Sequence, residues 1–354
     1  MSATASRWRL LFVPQGRSLV LAVPWFWLLL FFAVPFVILL RISVTDMGEG
    51  LDPFAPLAEL RDGHLMLHLK FSNYVSLMDD ADTGWLHTLY TESYLLSLKY
   101  ALLTTALCLF LGYPFAYFMA RSPENLRPLL LLMVMLPFWT SFLLRVYAWK
   151  GLLTEQGLIN HALIAIGLIH EPVQLLYNDV SMLVGMTYVY LPFMVLPLYA
   201  NLVKLDTRLL EASQDLGATP WQTFWLVTVP LSRSGIVAGS MLVFIPCLGE
   251  FVIPSLLGGA ENLMIGRVVW DEMFSSNNWP RASALAIAMI VGVIMPLAWY
   301  NQRVSRQAEQ VTHTVNLLVD FMATDAAETA DRIRKEEHVA DAVKADNLHT
   351  LNEA

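Results

Sequence analysis

Six stretches of the chain each run for about 20 residues with almost no charge, the length a helix needs to cross a hydrocarbon core. They cover 19–40, 100–120, 128–149, 180–203, 235–258 and 282–302. Four hold no Lys, Arg, Asp or Glu; the third holds Arg145 and the fifth Glu250. In lipid every backbone N–H and C=O must be satisfied within the protein, so runs of this length are expected as helices. The expected class is all-α: a polytopic membrane protein with six transmembrane helices. Arg7, Arg9 and Arg17 precede the first run, as in a signal peptide. The run is too long for one and lacks a small-residue cleavage site, so it reads as an uncleaved span.

Orientation follows from basic residues close to the runs. Arg7, Arg9 and Arg17 lie before the first, Arg121 and Arg127 between the second and third, Lys204, Arg208 and Arg233 between the fourth and fifth, and Arg303 and Arg306 after the sixth. These belong on one side, the cytoplasm. The first opposite connection is acidic, with Asp46, Glu49, Asp52, Glu59, Asp62, Asp79, Asp80 and Asp82. Arg61, Lys70, Lys150 and Arg267 dilute the contrast without reversing it. Both termini are then cytoplasmic. The chain divides into a tail 1–18, a membrane domain 19–302 with a cytoplasmic segment 204–234, and a tail 303–354 expected to be poorly ordered. That last tail holds 6 basic and 10 acidic residues, half of the net charge of −8. Its apolar patch, "VTHTVNLLVDFM", suits either a solvated tail or a short amphipathic helix packed on a partner.

Several function classes drop out. No basic surface for nucleic acid is present. Cys108 and Cys247 lie inside apolar runs and read as small buried hydrophobes, not a disulfide or metal ligands. His64, His68, His87, His161 and His170 have no metal-ligand spacing, so no metal site is expected. No Gly-rich phosphate loop ending in Lys-Ser/Thr appears, so this chain is not expected to hydrolyse ATP. Internal repeats, frequent in ion-coupled secondary carriers, are not seen. The runs do contain many prolines: Pro24, Pro35, Pro114, Pro137, Pro192, Pro197, Pro246, Pro254 and Pro296. Such interruptions are tolerated where other helices or a water-filled path lie alongside. Residues 152–170 are apolar but short and interrupted, and are expected as an interfacial or packed helix on the outer side.

The segment "EASQDLGATPWQTFWLVTVP", 211–230, has a defined local design. Asp206 or Thr207 can cap a first helix whose apolar face is Leu205, Leu209, Ala212 and Leu216. Gly217 suits the left-handed residue that ends it. Thr219 is placed to cap a second helix, with Pro220 in the first position and Gln222 completing a capping box. Trp221, Phe224, Trp225 and Thr228 form the second face. Two rigid rods at a fixed angle are expected, not a loose linker.

These residues carry a resemblance. Glu211-Ala212-Ser213, then Gly217-Ala218 and Pro220, then Val227-x-Val229-Pro230, is similar to the EAA–G–I-x-L-P signature of ABC importer permeases. Ser213 stands where the signature has its second alanine, and valines where it has isoleucine and leucine. "LPFWTSFLLRVYAWKGLL" (136–153), "YVYLPFMVLPLYANL" (188–202), "GSMLVFIPCLGEFVIPSLLGG" (239–259) and "MIGRVVWDEMF" (264–274) resemble the polyamine branch, closest to the putrescine-importer type. The tail after about residue 303 departs from that pattern. The resemblance implies a MetI-like fold in a bacterial inner membrane. It implies a cytoplasmic ATPase dimer gripping Glu211, Ala212, Ser213, Gly217, Ala218, Pro220, Val227 and Pro230, a second permease subunit, and a periplasmic substrate-binding protein. ATP and Mg would sit on the ATPase, with no cofactor on this chain.

For a cationic amine, Glu250 is the residue of most interest. A carboxylate inside an apolar run is costly and by default functional. Its two readings are an anion on the substrate path and the partner of Arg145 in a structural ion pair. Arg145 itself, near the outer end of its run, is expected to snorkel to the interface. Trp139, Tyr147, Tyr188 and Tyr190 could wall the path with aromatic faces or sit as interfacial and packing aromatics. Asp271, with Glu272 beside it, could face an incoming cation or form a solvated acidic turn. The expected function is polyamine import, putrescine foremost. Spermidine, another organic cation or an amino-acid-like substrate would keep the same mechanics, and an ion-coupled carrier is the rival of different class.

Overall fold

The computed structural model describes residues 16–295, except 49–51, 62–63, 68, 81–83 and 86–87, and beyond them Ala342. By internal contacts the chain forms two compact units, Met1–Ile287 and Ala288–Ala354. Most of the N-terminal tail and nearly all of 303–354 lie outside the described residues, as do 296–302 of the sixth expected span.

Helix α1, Leu21–Ser43, is apolar and largely exposed until Ile42 and Ser43, which are buried. It widens to a π turn at Leu29–Ala33, just before Pro35. A proline has no N–H to give, and a widened turn absorbs the missing hydrogen bond. The connection that follows is not helical. It pairs β1 (Ala58–Arg61) with β2 (His64–Leu67) and, after a single turn α2 (Ser72–Val75), β3 (Asp79–Asp80) with β4 (Gly84–Trp85). Both pairs are antiparallel, so the all-α reading holds for the spans but omits two small hairpins.

Helix α3, Leu89–Arg121, starts eleven residues before its apolar run. Thr88 caps it by accepting from the Thr91 N–H at 3.1 Å. Its polar first turns stay helical because their side chains are used: Ser97 Oγ accepts from the Ile265 N–H at 2.7 Å and Tyr94 donates to the Leu285 carbonyl at 2.6 Å.

The third run is broken. Helix α4, Arg127–Met135, tightens to a 3-10 turn at Leu136–Trp139, and α5, Phe142–Leu153, follows after Thr140 turns extended. The axes of Arg127–Trp139 and Phe142–Ala165 differ by 88°. Pro137 and the Thr140 hydroxyl, which donates to the Pro137 carbonyl at 2.8 Å, account for the corner. A short α6, Leu158–Ala165, realises the helix expected within 152–170.

Helix α7, Asp179–Leu202, begins with an Asn178/Ser181 capping box and is the centre of the core. Met182, Met186, Tyr190, Met194 and Leu198 recur at every fourth residue and are buried. After α8 (Thr207–Asp215), α9 (Pro220–Leu231) and α10 (Arg233–Leu248), the fifth run breaks at Gly249–Phe251 before α11, Val252–Leu257. The chain continues through α12, Ile265–Trp270, to α13, Trp279–Met295. Among the described residues three single helices are long and apolar enough to cross a membrane, or up to five where each of two bent pairs counts as one span.

Helices α3 and α10 pack on α7 through small residues, the device that lets helices approach in lipid. Gly112 of α3 and Gly239 of α10 flank Met194; a Cβ on Gly239 would lie 2.8 Å from the Met194 sulfur and 3.1 Å from its carbonyl. Cys108 and Cys247 are buried and free. Gly239→Val should therefore cost about 1–3 kcal/mol and lower the thermal unfolding midpoint in detergent. Gly151→Val, at a position with nothing within 4 Å, should shift it far less; equal shifts would refute the close-packed seam.

Candidate functional site

The segment between α7 and α10 folds as its local rules dictate. Asp206 accepts from the Arg208 N–H at 3.0 Å and starts α8. Gly217 ends it with φ +89°. The Gly217 N–H donates to the Gln214 carbonyl at 2.8 Å and the Ala218 N–H to the Ser213 carbonyl at 3.1 Å, a Schellman closure. Thr219 then caps α9. Its side chain accepts from the Gln222 N–H at 3.3 Å, and the Gln222 side chain accepts from the Thr219 N–H at 2.8 Å. A hydrogen bond of 2.8 Å between the Ser213 and Thr223 hydroxyls ties the two rods.

The segment has an anchored face and an open one. Phe224 meets Tyr113 and Tyr117 of α3 edge-on, at 5.5 and 5.7 Å between ring centroids. The Tyr113 and Ser232 hydroxyls bond at 2.8 Å where α9 turns by 65° into α10. Sequence reading passed over these anchors, although Tyr113 and Tyr117 stand one helical turn apart. On the open side Leu209, Trp221, Trp225 and Leu226 are exposed, and Leu216 is 89% exposed. An apolar patch of this kind on a rigid support is the mark of an interaction surface. Glu211, Ala212, Gly217 and Pro220 lie on the exposed side with it, Ser213 and Ala218 are half-buried, and Val227 and Pro230 continue into α9 with its π turn at Phe224–Thr228.

Glu250 sits at the break between α10 and α11, 8% exposed. One carboxylate oxygen accepts from the N–H groups of Val252 and Ile253 at 3.0 and 3.4 Å, and the other from the Tyr190 hydroxyl at 2.5 Å. The carboxylate therefore caps the first turn of α11 and joins it to α7. Among the described residues no ion pair links it to Arg145, which corrects that reading.

Arg145 does not snorkel. It is 9% exposed, and its Nε and Nη1 are buried without a hydrogen-bond partner among the described residues. The 88° corner turns α5 so that the guanidinium lies over Phe138, 5.4 Å from the ring centroid. Phe138 meets Phe193 at 5.1 Å, and Phe193 lies 6.1 Å from Tyr190. A row of rings thus separates the buried cation from the buried carboxylate.

Of the expected aromatic wall, only Tyr190 is brought to Glu250. Trp139, 76% exposed, and Tyr147 turn outward. Tyr188 packs edge-on against Trp149 at 5.4 Å. Asp271 pairs with Arg267 at 3.9 Å, one turn back. Its neighbour Glu272 is the more enclosed: it accepts from the Tyr90 hydroxyl at 2.5 Å, with Arg281 at 4.0 Å.

Residues 109–307 match the family described as "Binding-protein-dependent transport system inner membrane component". The chain is 37% identical over 279 residues to the spermidine/putrescine transport system permease protein PotB of Salmonella typhimurium (strain SL1344), covering 78% of this chain and 90% of that one. It is 36% identical over 297 residues to the PotB of Haemophilus influenzae (strain ATCC 51907 / DSM 11121 / KW20 / Rd), covering 83% and 96%. In fold it is similar to a chain of the bacterial alginate ABC transporter crystallised with its alginate pentasaccharide-bound periplasmic protein. The TM-score is 0.55 at 18% identity, over 81% of this chain and 93% of that one. The expected permease fold and multi-pass membrane placement accord with these findings. This chain belongs to the family of binding-protein-dependent transport system inner-membrane components.

Proposed function

We propose that the chain is one of two permease subunits of an ATP-driven importer of polyamines, with putrescine the foremost substrate and spermidine of the same class. The observation that carries the substrate class is the identity, over most of the chain, to permeases named for spermidine and putrescine. Glu250 and the Tyr190 ring supply chemistry apt for an alkylammonium, an anion beside an aromatic face. An ATPase dimer binds the 204–234 segment on the cytoplasmic side, where both termini lie. A periplasmic binding protein delivers substrate to the other face. ATP and Mg belong to the ATPase, and this chain contributes a path whose inward- and outward-open states are stabilised differently.

The exposed side of α8 and α9 supports the ATPase assignment. Leu216, Trp221 and Leu226 offer apolar area, and Gly217 fixes the angle at which it is presented. Closure of the ATPase would act on a rod, so it would tilt α10 as a rigid body.

Uptake of labelled putrescine and spermidine by the reconstituted four-subunit complex tests the substrate; transport of neither would overturn the polyamine reading. Gly217→Pro cannot keep φ +89° and should cut ATP-driven uptake at least about tenfold, with the chain still in the membrane. Glu211→Ala should lower uptake in the same direction. Retained uptake in both would count against coupling through this segment. Glu250→Gln keeps an acceptor for the α11 N–H groups but removes the charge. It should reduce putrescine uptake about tenfold while co-purification with the ATPase is unchanged, and equal uptake would assign Glu250 to capping alone.

A further inference from the structure

At the start of α7, the residues Thr154, Glu155, Gln156, Gln174, Leu176 and Tyr177 line an open pocket of about 420 Å³. It is built, not incidental. Asn160, fully buried, donates to the Thr154 carbonyl at 3.1 Å and the Val173 carbonyl at 2.9 Å, and accepts from the Val173 N–H at 3.0 Å. That one amide fastens the two walls together. Tyr177 holds φ +63°, a left-handed conformation that bulky L residues avoid. Outliers of this kind cluster at binding sites. The Tyr177 N–H donates to the Leu257 carbonyl at 3.1 Å, and the Ser181 hydroxyl donates to the same carbonyl at 2.6 Å. Leu257 ends α11, the short helix that Glu250 caps. Gly185 lets α11 lie close on α7, since a Cβ there would stand 2.4 Å from a Leu257 methyl. The pocket therefore sits on the same rigid pair of helices that holds the buried carboxylate.

Position and charge define what the pocket can receive. The 24 residues of α7 extend for about 36 Å from the pocket to the 204–234 segment. The pocket thus opens on the membrane face opposite the proposed ATPase site, the face a binding protein must approach. Glu155 is the one charged residue lining it, is exposed, and has no ion-pair partner among the described residues. Lys150 already covers the Tyr177 ring, its ammonium 5.5 Å from the centroid. Among the described residues, the pocket's side-chain cation acceptors without a partner are then the Glu155 carboxylate and the amide oxygens of Gln156 and Gln174. We infer that this pocket is a docking socket for a basic side chain, Lys or Arg, of the extracytoplasmic substrate-binding protein. The inference rests on the orientation proposed above, in which the 204–234 segment faces the ATPase.

The test titrates the reconstituted complex with its substrate-loaded binding protein and reads ATP hydrolysis, with complex yield as the check on folding. Glu155→Lys should raise the half-saturating concentration of binding protein about tenfold or more, with the loss shrinking in high salt. Gln174→Trp, which fills the pocket without changing charge, should raise it severalfold. An unchanged value in Glu155→Lys overturns the proposal. A shift in Glu155→Lys with none in Gln174→Trp places the charge outside a socket and also overturns it. If free diamine alone stimulates the wild-type complex and Glu155→Lys abolishes that, the occupant is the substrate's ammonium and docking is refuted. Membrane-impermeant labelling of cysteines introduced at 155 and 211 separates the two readings: labelling from the same side defeats the orientation, not the pocket chemistry.

Discussion

A backbone held in hydrocarbon has no water to fall back on, so each interruption of a helix must be closed by a partner from the chain itself. This condition governs where the protein bends. At Gly249–Phe251 the Glu250 carboxylate takes the free N–H groups of α11. At Thr140 a hydroxyl takes the Pro137 carbonyl. Before Pro35 and Pro230 the helix widens by one residue instead. Pro35, Pro137 and Pro230 are each met by such a local repair, whereas Pro114, Pro192, Pro197 and Pro246 lie inside unbroken helices. The bends at the repaired breaks give the membrane domain corners in place of a bundle of straight rods.

The 204–234 segment was legible almost residue by residue, because capping is local chemistry. Asp206, Gly217, Thr219 and Gln222 each act within a few residues of themselves, so spacing alone assigns their roles. The spans were legible as hydrophobic runs but not as shapes. An apolar run reads as one rod, whereas 128–149 turns a corner at Thr140 and 235–258 breaks at Gly249–Phe251, each closed by one or two polar side chains. Helix α3 errs in the opposite sense. Its polar start at 89–99 looks like loop until Ser97 and Tyr94 find backbone partners on α12 and α13, more than 160 residues away.

The candidate path shows the same limit at the level of single residues. Tyr188 and Tyr190 are two apart on a helix, about 200° around its axis, so they cannot share a wall. Tyr190 belongs to the every-fourth-residue stripe that faces the core, and that stripe could have singled it out. Arg145 was misplaced because snorkelling presumes a helix standing upright to its end. Once the chain turns by 88° at Thr140, a residue near the end of the run points inward. The price is a guanidinium with two nitrogens unpaired among the described residues, a cost that a tertiary corner imposes.

Glu250 is not the ion-pair partner of Arg145, and its place on a substrate path belongs to the proposed reading. It caps α11 and holds α7 through Tyr190, which is a structural task, yet among the described residues it has no ion-pair partner. Helix α10 connects that carboxylate to the 204–234 segment without a break: one end is fixed at Ser232 by Tyr113, and the other is Gly249. On the proposed reading, a tilt of α10 driven by the ATPase would bear directly on the Glu250–Tyr190 hydrogen bond. A single bond at a hinge would then report the nucleotide state to the proposed cation site. The same α11 carries that hinge outward to Leu257 and Tyr177. A rod six residues long, gripped at both ends by α7, leaves little freedom for one end to move without the other.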